Sequence, residues 1–367
     1  MLIKTITCHH VYNHGAYLQA YALIEYLKEL GHDVEIINYR PQYLRGQFNL
    51  WHIEERYKKI GLGWLYLLVK LPKRLIALKR KRVFDQFFHN YIPITEIEYL
   101  SIEELQANPP TADLYIAGSD QIWNTTFPNG TDLGFYLDFG DKQTKRISYA
   151  ASFATDKLVD NANDFVKEKL KNFDNISVRE FSGLNILNCL GYNGVEGVDP
   201  VFLLSNKWWN NFASNDGAKE DYILIYDFEK SPEIRTIAKR LAKLKSLKIY
   251  SIGSRKLSYA SKNFIYYNPK TFVGLIKNAT CVISNSFHGS AFALIFNKDF
   301  FVINRVDGLN VRMRDLLAKY NLQSRIITTN VIDSDLISSI DYTYVNPLIN
   351  DSIIKSKKFL NDALNET

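Results

Sequence analysis

Apolar and polar positions along the chain switch repeatedly between strand and helix periods. Leu2 to Thr7 is a strand-length apolar run, and a polar loop, His9 to Gly15, follows it. Leu18, Ala22, Leu23, Tyr26, Leu27 and Leu30 then recur at helical spacing, and Gly31 supplies a stop. Val34 to Tyr39 is strand-like again, and Pro41 ends it. Strand, loop, helix and strand in that order open a doubly wound parallel sheet.

Gln42 to Tyr91 interrupts this pattern with helical, basic and apolar sequence. The alternation then resumes. Strands are predicted at Leu114 to Ala117, Ile147 to Ala150 and Asn175 to Val178, with helices at Asn163 to Asn172 and Phe181 to Asn188. A second series follows Gly197 to Pro200. Its strands are Tyr222 to Tyr226, Lys248 to Ile252, Thr280 to Ser284 and Phe300 to Ile303. Its helices are Pro232 to Leu244, Thr271 to Asn278, Gly289 to Phe296 and Arg312 to Tyr320, and Ser352 to Asn365 is a terminal helix. The span from Pro200 to Glu220 is the least regular. The predicted fold class is α/β, with two Rossmann-like domains facing across a cleft. Residues 1–199 form the first domain, with a basic helical insertion at 42–91. Residues 200–345 form the second, and 346–367 are a terminal helix that packs back on the first.

Charge sharpens this picture. The chain has 45 Lys and Arg against 39 Asp and Glu. Ten of the basic residues lie between Arg56 and Arg82, where no acidic residue occurs. The remainder is slightly acidic, which argues against a nucleic-acid coat. Within this stretch Trp64, Leu67, Leu68, Leu71, Leu75 and Leu78 form an apolar stripe, with Pro72 expected to bend it. An apolar stripe with a Trp and basic flanks has the marks of an interfacial helix on anionic lipid. Trp64, Lys79, Arg80, Lys81 and Arg82 are the expected docking residues. A core-packing helix with a solvated basic face is the alternative. The longest apolar run, Ile60 to Val69, is about half the ~20 residues of a spanning helix.

Cys8, Cys189 and Cys281 are far apart in apolar surroundings. Buried free thiols are expected, with no disulfide framework, which suits a cytoplasmic location. Divalent-metal spacing of carboxylates is not evident, and no metal is expected.

The string Ser284-Asn285-Ser286-Phe287-His288-Gly289-Ser290 lies where a strand ends and a helix begins. Such ends bind ligands in open α/β sheets, and a His there suits proton transfer near neutral pH. Six further strings accompany it. They are Asn13 to Leu23 (NHGAYLQAYAL), Gly118 to Asn124 (GSDQIWN), Ser148 to Phe153 (SYAASF), Ile176 to Glu180 (ISVRE), Val198-Asp199-Pro200, and Arg312 to Leu317 (RMRDLL). Together and in this order they resemble the polysaccharide pyruvyl transferase family. One departure is His14, where the family more often carries Tyr.

The resemblance implies a fold similar to the B-type glycosyltransferases. It also implies transfer of a carboxyethylidene group from phosphoenolpyruvate to two hydroxyls of a sugar. That reaction needs an acid for C3 of the donor, a base for the hydroxyls and cations for carboxylate and phosphate. His288 and Asp120 are the catalytic candidates. Arg179, Arg312, Arg305, Ser286 and Gly289 are the donor-binding candidates, with Arg314 a rival to the later arginines. Asn13, His14, Ser119 and Asn124 are the acceptor candidates. Asp199 before Pro200 is expected to be structural. The anticipated partners are phosphoenolpyruvate, a sugar acceptor carried on a polyprenyl pyrophosphate, and an anionic membrane surface, with no nucleic acid and no cofactor. A glycosyltransferase using a nucleotide sugar and a non-catalytic subunit of an assembly complex are the competing readings.

Overall fold

The structure is a computed structural model describing every residue except 45–52, 54–56, 58, 215–219, 307, 309 and 366–367, together with the side chains of 72, 73 and 76. Arg56 and Lys58 of the basic stretch therefore lie outside the described residues, as does the Lys73 side chain.

The first half builds one parallel sheet. Its strands are β1 (Leu2–Ile6), β2 (Asp33–Ile36), β3 (Leu114–Ala117), β4 (Lys145–Ala151), β5 (Asn175–Val178) and β6 (Val195–Glu196), in the order β2-β1-β3-β4-β5-β6. The helices of this half are α1 (His14–Glu29), α2 (Gly63–Tyr91), α3 (Ile102–Ala107), α4 (Asn163–Leu170) and α5 (Phe181–Leu190). The second half builds another parallel sheet from β7 (Tyr222–Tyr226), β8 (Lys248–Ile252), β9 (Lys262–Phe264), β10 (Cys281–Ser284) and β11 (Asp299–Val302), in the order β11-β10-β7-β8-β9. Its helices are α6 (Asn206–Phe212), α7 (Pro232–Lys245), α8 (Pro269–Asn278), α9 (Phe287–Ile295), α10 (Val311–Lys319) and α11 (Asp333–Ile337), and α12 (Tyr342–Asn365) closes the chain.

Both sheets are parallel throughout. Their central strands, β3 (LYIA) and β7 (YILIY), are buried on both faces and read as continuous apolar runs, as helices on both sides demand. Short elements with little periodicity escape the sequence pattern: β6, β9, α3, α6 and α11. In each sheet the strand order reverses once, beside β1 and β3 in the first and beside β7 and β10 in the second. Loops at the carboxyl ends of strands at such reversals form a crevice.

One apolar cluster is shared by the two halves. Tyr17, Leu18 and Tyr21 of α1 belong to the same buried group as Trp209, Phe272, Phe287 and Phe292. The terminal helix joins it from the other side: the Val198 amide donates to Ser356 Oγ at 2.9 Å, and the Lys357 ammonium lies 5.0 Å from the Tyr26 ring centroid. Cys8 and Cys281 are buried, whereas Cys189 is exposed. Its helix, α5, turns Ile186, Leu187 and Leu190 inward instead.

Candidate active site

A cavity of about 490 Å³ opens between the two sheets. Both reversal points supply its walls. Cys8 and Val11 to Asn13 follow β1, Asp120 and Gln121 follow β3, Asp227 and Phe228 follow β7, and Asn285 to His288 follow β10. Local capping fixes the key turns. Asn13 Oδ1 accepts from the Gly15 amide at 2.9 Å and starts α1. Ser286 Oγ accepts from the Gly289 amide at 3.4 Å and starts α9. Asn285 ties the cavity floor together, accepting from the Phe228 amide and donating to Asp227, each at 3.0 Å.

His288 occupies the first turn of α9 and lines the cavity. Its Nε2 lies 3.3 Å from Asp199 Oδ2, and the same carboxylate oxygen accepts from Arg179 at 2.8 Å. Burial pushes the Asp199 carboxyl up, but His288 and Arg179 beside it outweigh this and hold it at about 2. Asp199 is thus a buried anion in contact with the imidazole edge, where the sequence suggests only a structural turn. On the other side the imidazole packs on the start of α1. A β-carbon placed on Gly15 would lie 2.0 Å from His288 Nδ1.

The arginines separate into distinct roles. Arg179 does not line the cavity. Its side chain is 1% exposed, paired with Asp199 and lying 3.7 Å from Glu180. The expected anion clamp is therefore a buried partner of the His288 carboxylate. Burial raises the Glu180 carboxyl, which accepts from Ser152 Oγ at 2.8 Å and the Ala154 amide at 2.9 Å. Arg312 does line the cavity. Its guanidinium lies 5.9 Å from the Phe287 ring centroid, and that of Arg179 lies 4.6 Å from it. Burial, with Arg179 nearby, lowers Arg312 to about 10. The Gln121 side-chain amide lies 2.6 and 3.2 Å from the Arg312 guanidinium nitrogens and accepts from them when its oxygen is turned that way, and Asp120 Oδ1 lies 4.0 Å away. Arg305 lines the cavity over the Phe228 ring, 3.8 Å from Glu229. Arg314 points elsewhere and pairs with Asp156 and Asp315.

Among the other expected site residues, Asn13, Asp120 and Ser286 line the cavity. His14 does not. It is buried, stacked on Phe272 at 4.9 Å and tilted against Phe84 at 4.8 Å. Desolvation holds it well below the usual histidine range. Ser119 and Asn124 are also fully buried. Ser119 Oγ donates to the Ala150 carbonyl at 3.0 Å, and Asn124 Oδ1 accepts from Thr126, so both hold loops rather than face a ligand. Gly289 lies one turn inside α9, where a β-carbon would meet Ser284 Oγ at 2.7 Å. Its role is close packing of helix on strand, not contact with the cavity.

The basic helix brings a different correction. Arg80, expected on a membrane face, lines the cavity. It donates to the Tyr12 carbonyl at 2.7 Å and lies over the Phe84 ring at 5.2 Å. Lys81 pairs with Asp85, four residues on, and lies 5.7 Å from the Tyr12 ring centroid. Tyr226, Asp227 and Phe228 also line the cavity outside every string singled out in the sequence, while Asn285 lines it from within the His288 string. Position after a predicted strand was the one available signal for them.

With this geometry in view, the family model for polysaccharide pyruvyl transferases matches residues 13–307. The chain belongs to that family. No curated protein matches the sequence. Solved structures similar to this pyruvyl transferase family member share its fold at low identity. A Listeria monocytogenes protein assigned as a UDP-N-acetylglucosamine 2-epimerase has a TM-score of 0.52 and 8% identity, over 97% of this chain and 90% of that one. The UDP-N-acetylglucosamine 2-epimerase of Rickettsia bellii has a TM-score of 0.50 and 13% identity, over 99% and 96%. A glycosyltransferase of avilamycin A biosynthesis follows, with a TM-score of 0.46 and 12% identity, over 99% and 97%. The transferase thus has two Rossmann-like domains, the fold it shares with these epimerases.

Proposed function

We propose that the protein transfers a carboxyethylidene group from phosphoenolpyruvate to two hydroxyls of a sugar on a lipid-linked acceptor. The observation that carries this reading is the cavity's pairing of an acid–base residue with cations. His288, backed by Asp199, faces a space that Arg80, Arg305 and Arg312 also line. Three cations suit a donor that bears both a carboxylate and a phosphate.

On this reading the steps are as follows. C3 of the donor gains a proton, and C2 becomes an oxocarbenium-like centre. One sugar hydroxyl bonds to C2 and gives up its proton. Phosphate then leaves with its bridging oxygen, and the second hydroxyl closes the ketal. Of the two hydroxyl protons, one balances the new methyl group and the other leaves with phosphate or water. His288 is the proton carrier, because the Asp199 carboxylate stabilises the imidazolium during transfer. Asp120 serves as the second base, and Arg312 and Arg305 hold the departing phosphate.

The test is thermal stabilisation by phosphoenolpyruvate against UDP- and GDP-sugars, followed by mass spectrometry of products from a panel of lipid-linked sugars. Stabilisation by the donor and a carboxyethylidene mass gain with phosphate release are expected. Stabilisation by nucleotide sugars alone would assign the cavity to glycosyl transfer.

A further inference from the structure

We propose that the outer face of α2 docks the protein on an anionic bilayer surface. The helix runs unbroken from Gly63 to Tyr91. Its second half is anchored: Phe84, Phe87 and Phe88 are buried in the shared core. Its first half buries Tyr66 but leaves a broad apolar face open. Trp64 is 63% exposed, Leu68 61% and Leu75 50%, with Leu65 and Val69 also exposed.

At 100° per residue, Trp64, Leu68, Leu75, Lys79 and Arg82 fall within a sector of about 60°. One line along the helix is thus apolar for three turns and cationic for the next two. Lys59, Lys70, Lys79 and Arg82 are all exposed, and no acidic residue occurs from position 56 to 82. A positive field beside an apolar strip with a Trp complements anionic headgroups over acyl chains.

The opposite side of the same helix carries Arg80 into the cavity. Trp64 and Arg80 are separated by roughly 24 Å along the axis. A helix whose first half lies on the bilayer therefore leads to the reaction space, as delivery of an acceptor from a lipid carrier requires. The docking stands without the pyruvyl-transfer reading; its use for acceptor delivery rests on that reading.

Flotation of the full-length protein, with no substrate present, tests the proposal. The vesicles are phosphatidylcholine with or without phosphatidylglycerol. Flotation on the anionic vesicles only is expected. Lys79→Ser with Arg82→Ser should weaken partitioning roughly 30-fold, since each cation near the surface contributes about a factor of five. Trp64→Ser with Leu68→Ser should abolish flotation. Both pairs are exposed, so melting temperatures should match the parent. Absence of flotation on anionic vesicles, or equal flotation of the variants, overturns the proposal. So does a concentration-dependent dimer dissolved by Leu68→Asp, which would assign the face to a second copy. Turnover of a water-soluble acceptor is measured separately, so failure of docking and failure of the catalytic reading remain distinct.

Discussion

Gly15 and His288 are in direct contact across the two halves of the molecule: a β-carbon on Gly15 would sit 2.0 Å from His288 Nδ1. No side chain fits there unless the imidazole moves. Gly15→Ala should therefore displace His288 and lower kcat by about 100-fold, the scale of an ångström-sized misplacement. Its backbone is helical, so the fold should survive. Steady-state kinetics beside a thermal melt check this; normal turnover would show that the contact relaxes without consequence.

His288 and Asp199 should separate by stability rather than by activity. His288→Ala should reduce turnover by about 10²–10⁴-fold with little change in the urea midpoint. Asp199→Asn should lose comparable activity and also about 3–5 kcal/mol of stability, because Arg179 stays buried beside one fewer anion. Equal midpoints for the two variants would remove the structural half of the Asp199 role.

Arg312 lies against the Gln121 side-chain amide on one side and faces Phe287 on another. Arg312→Lys keeps the charge but loses the planar fork. It should lower kcat/KM for phosphoenolpyruvate by about 10²–10³-fold, the scale for a single lost anion-stabilising donor. Arg314→Lys, which alters only the Asp156 and Asp315 pairing, should change it little. Initial-rate kinetics at varied donor concentration separate the two.

Arg80 comes from the basic helix yet belongs to the cavity. Arg80→Gln should raise the KM of an anionic substrate by about 10- to 100-fold, equivalent to one charge-assisted hydrogen bond of roughly 1.5–3 kcal/mol. Vesicle flotation should be unchanged. Lost flotation with unchanged KM would return Arg80 to the membrane face.

Buried neutral histidines set an acid limit on stability. Burial lowers His9 to about 3 and His14 well below its ordinary value. A histidine whose folded pKa is depressed favours the folded state above about 6.5, and this contribution is lost as pH falls below that value. Stability should fall between pH 6.5 and 5 by about 1.4 kcal/mol per pH unit for each proton taken up on unfolding. Asp199 adds nothing in that window, because its low folded value moves its loss below about pH 4. His14→Phe keeps the stack on Phe272 and should reduce the slope by one proton. Urea titrations across this range give the number directly; an unchanged slope would mean that His14 charges freely in the fold.

The alternation of strands and helices is legible from neighbouring residues alone, because a half-buried helix and a doubly covered strand impose different apolar periods. So are the family and the strand-end position of His288, since both reside in contiguous strings. Asp120, Arg305, Arg312 and Ser286 were legible for the same reason: each follows a strand or opens a helix near a predicted ligand-binding edge. What these groups touch depends on the folded chain. Asp199 reaches His288 from 89 positions earlier, and Gly15 from 273 positions earlier. Arg179 and His14 look like exposed loop residues until the second half of the chain covers them. Arg80 and Arg82 are neighbours in a basic run, yet one turns into the cavity and the other outward. The physical reason is the same in each case. Local spacing fixes which face of an element a side chain occupies, but burial and charge pairing depend on what the rest of the chain places against that face.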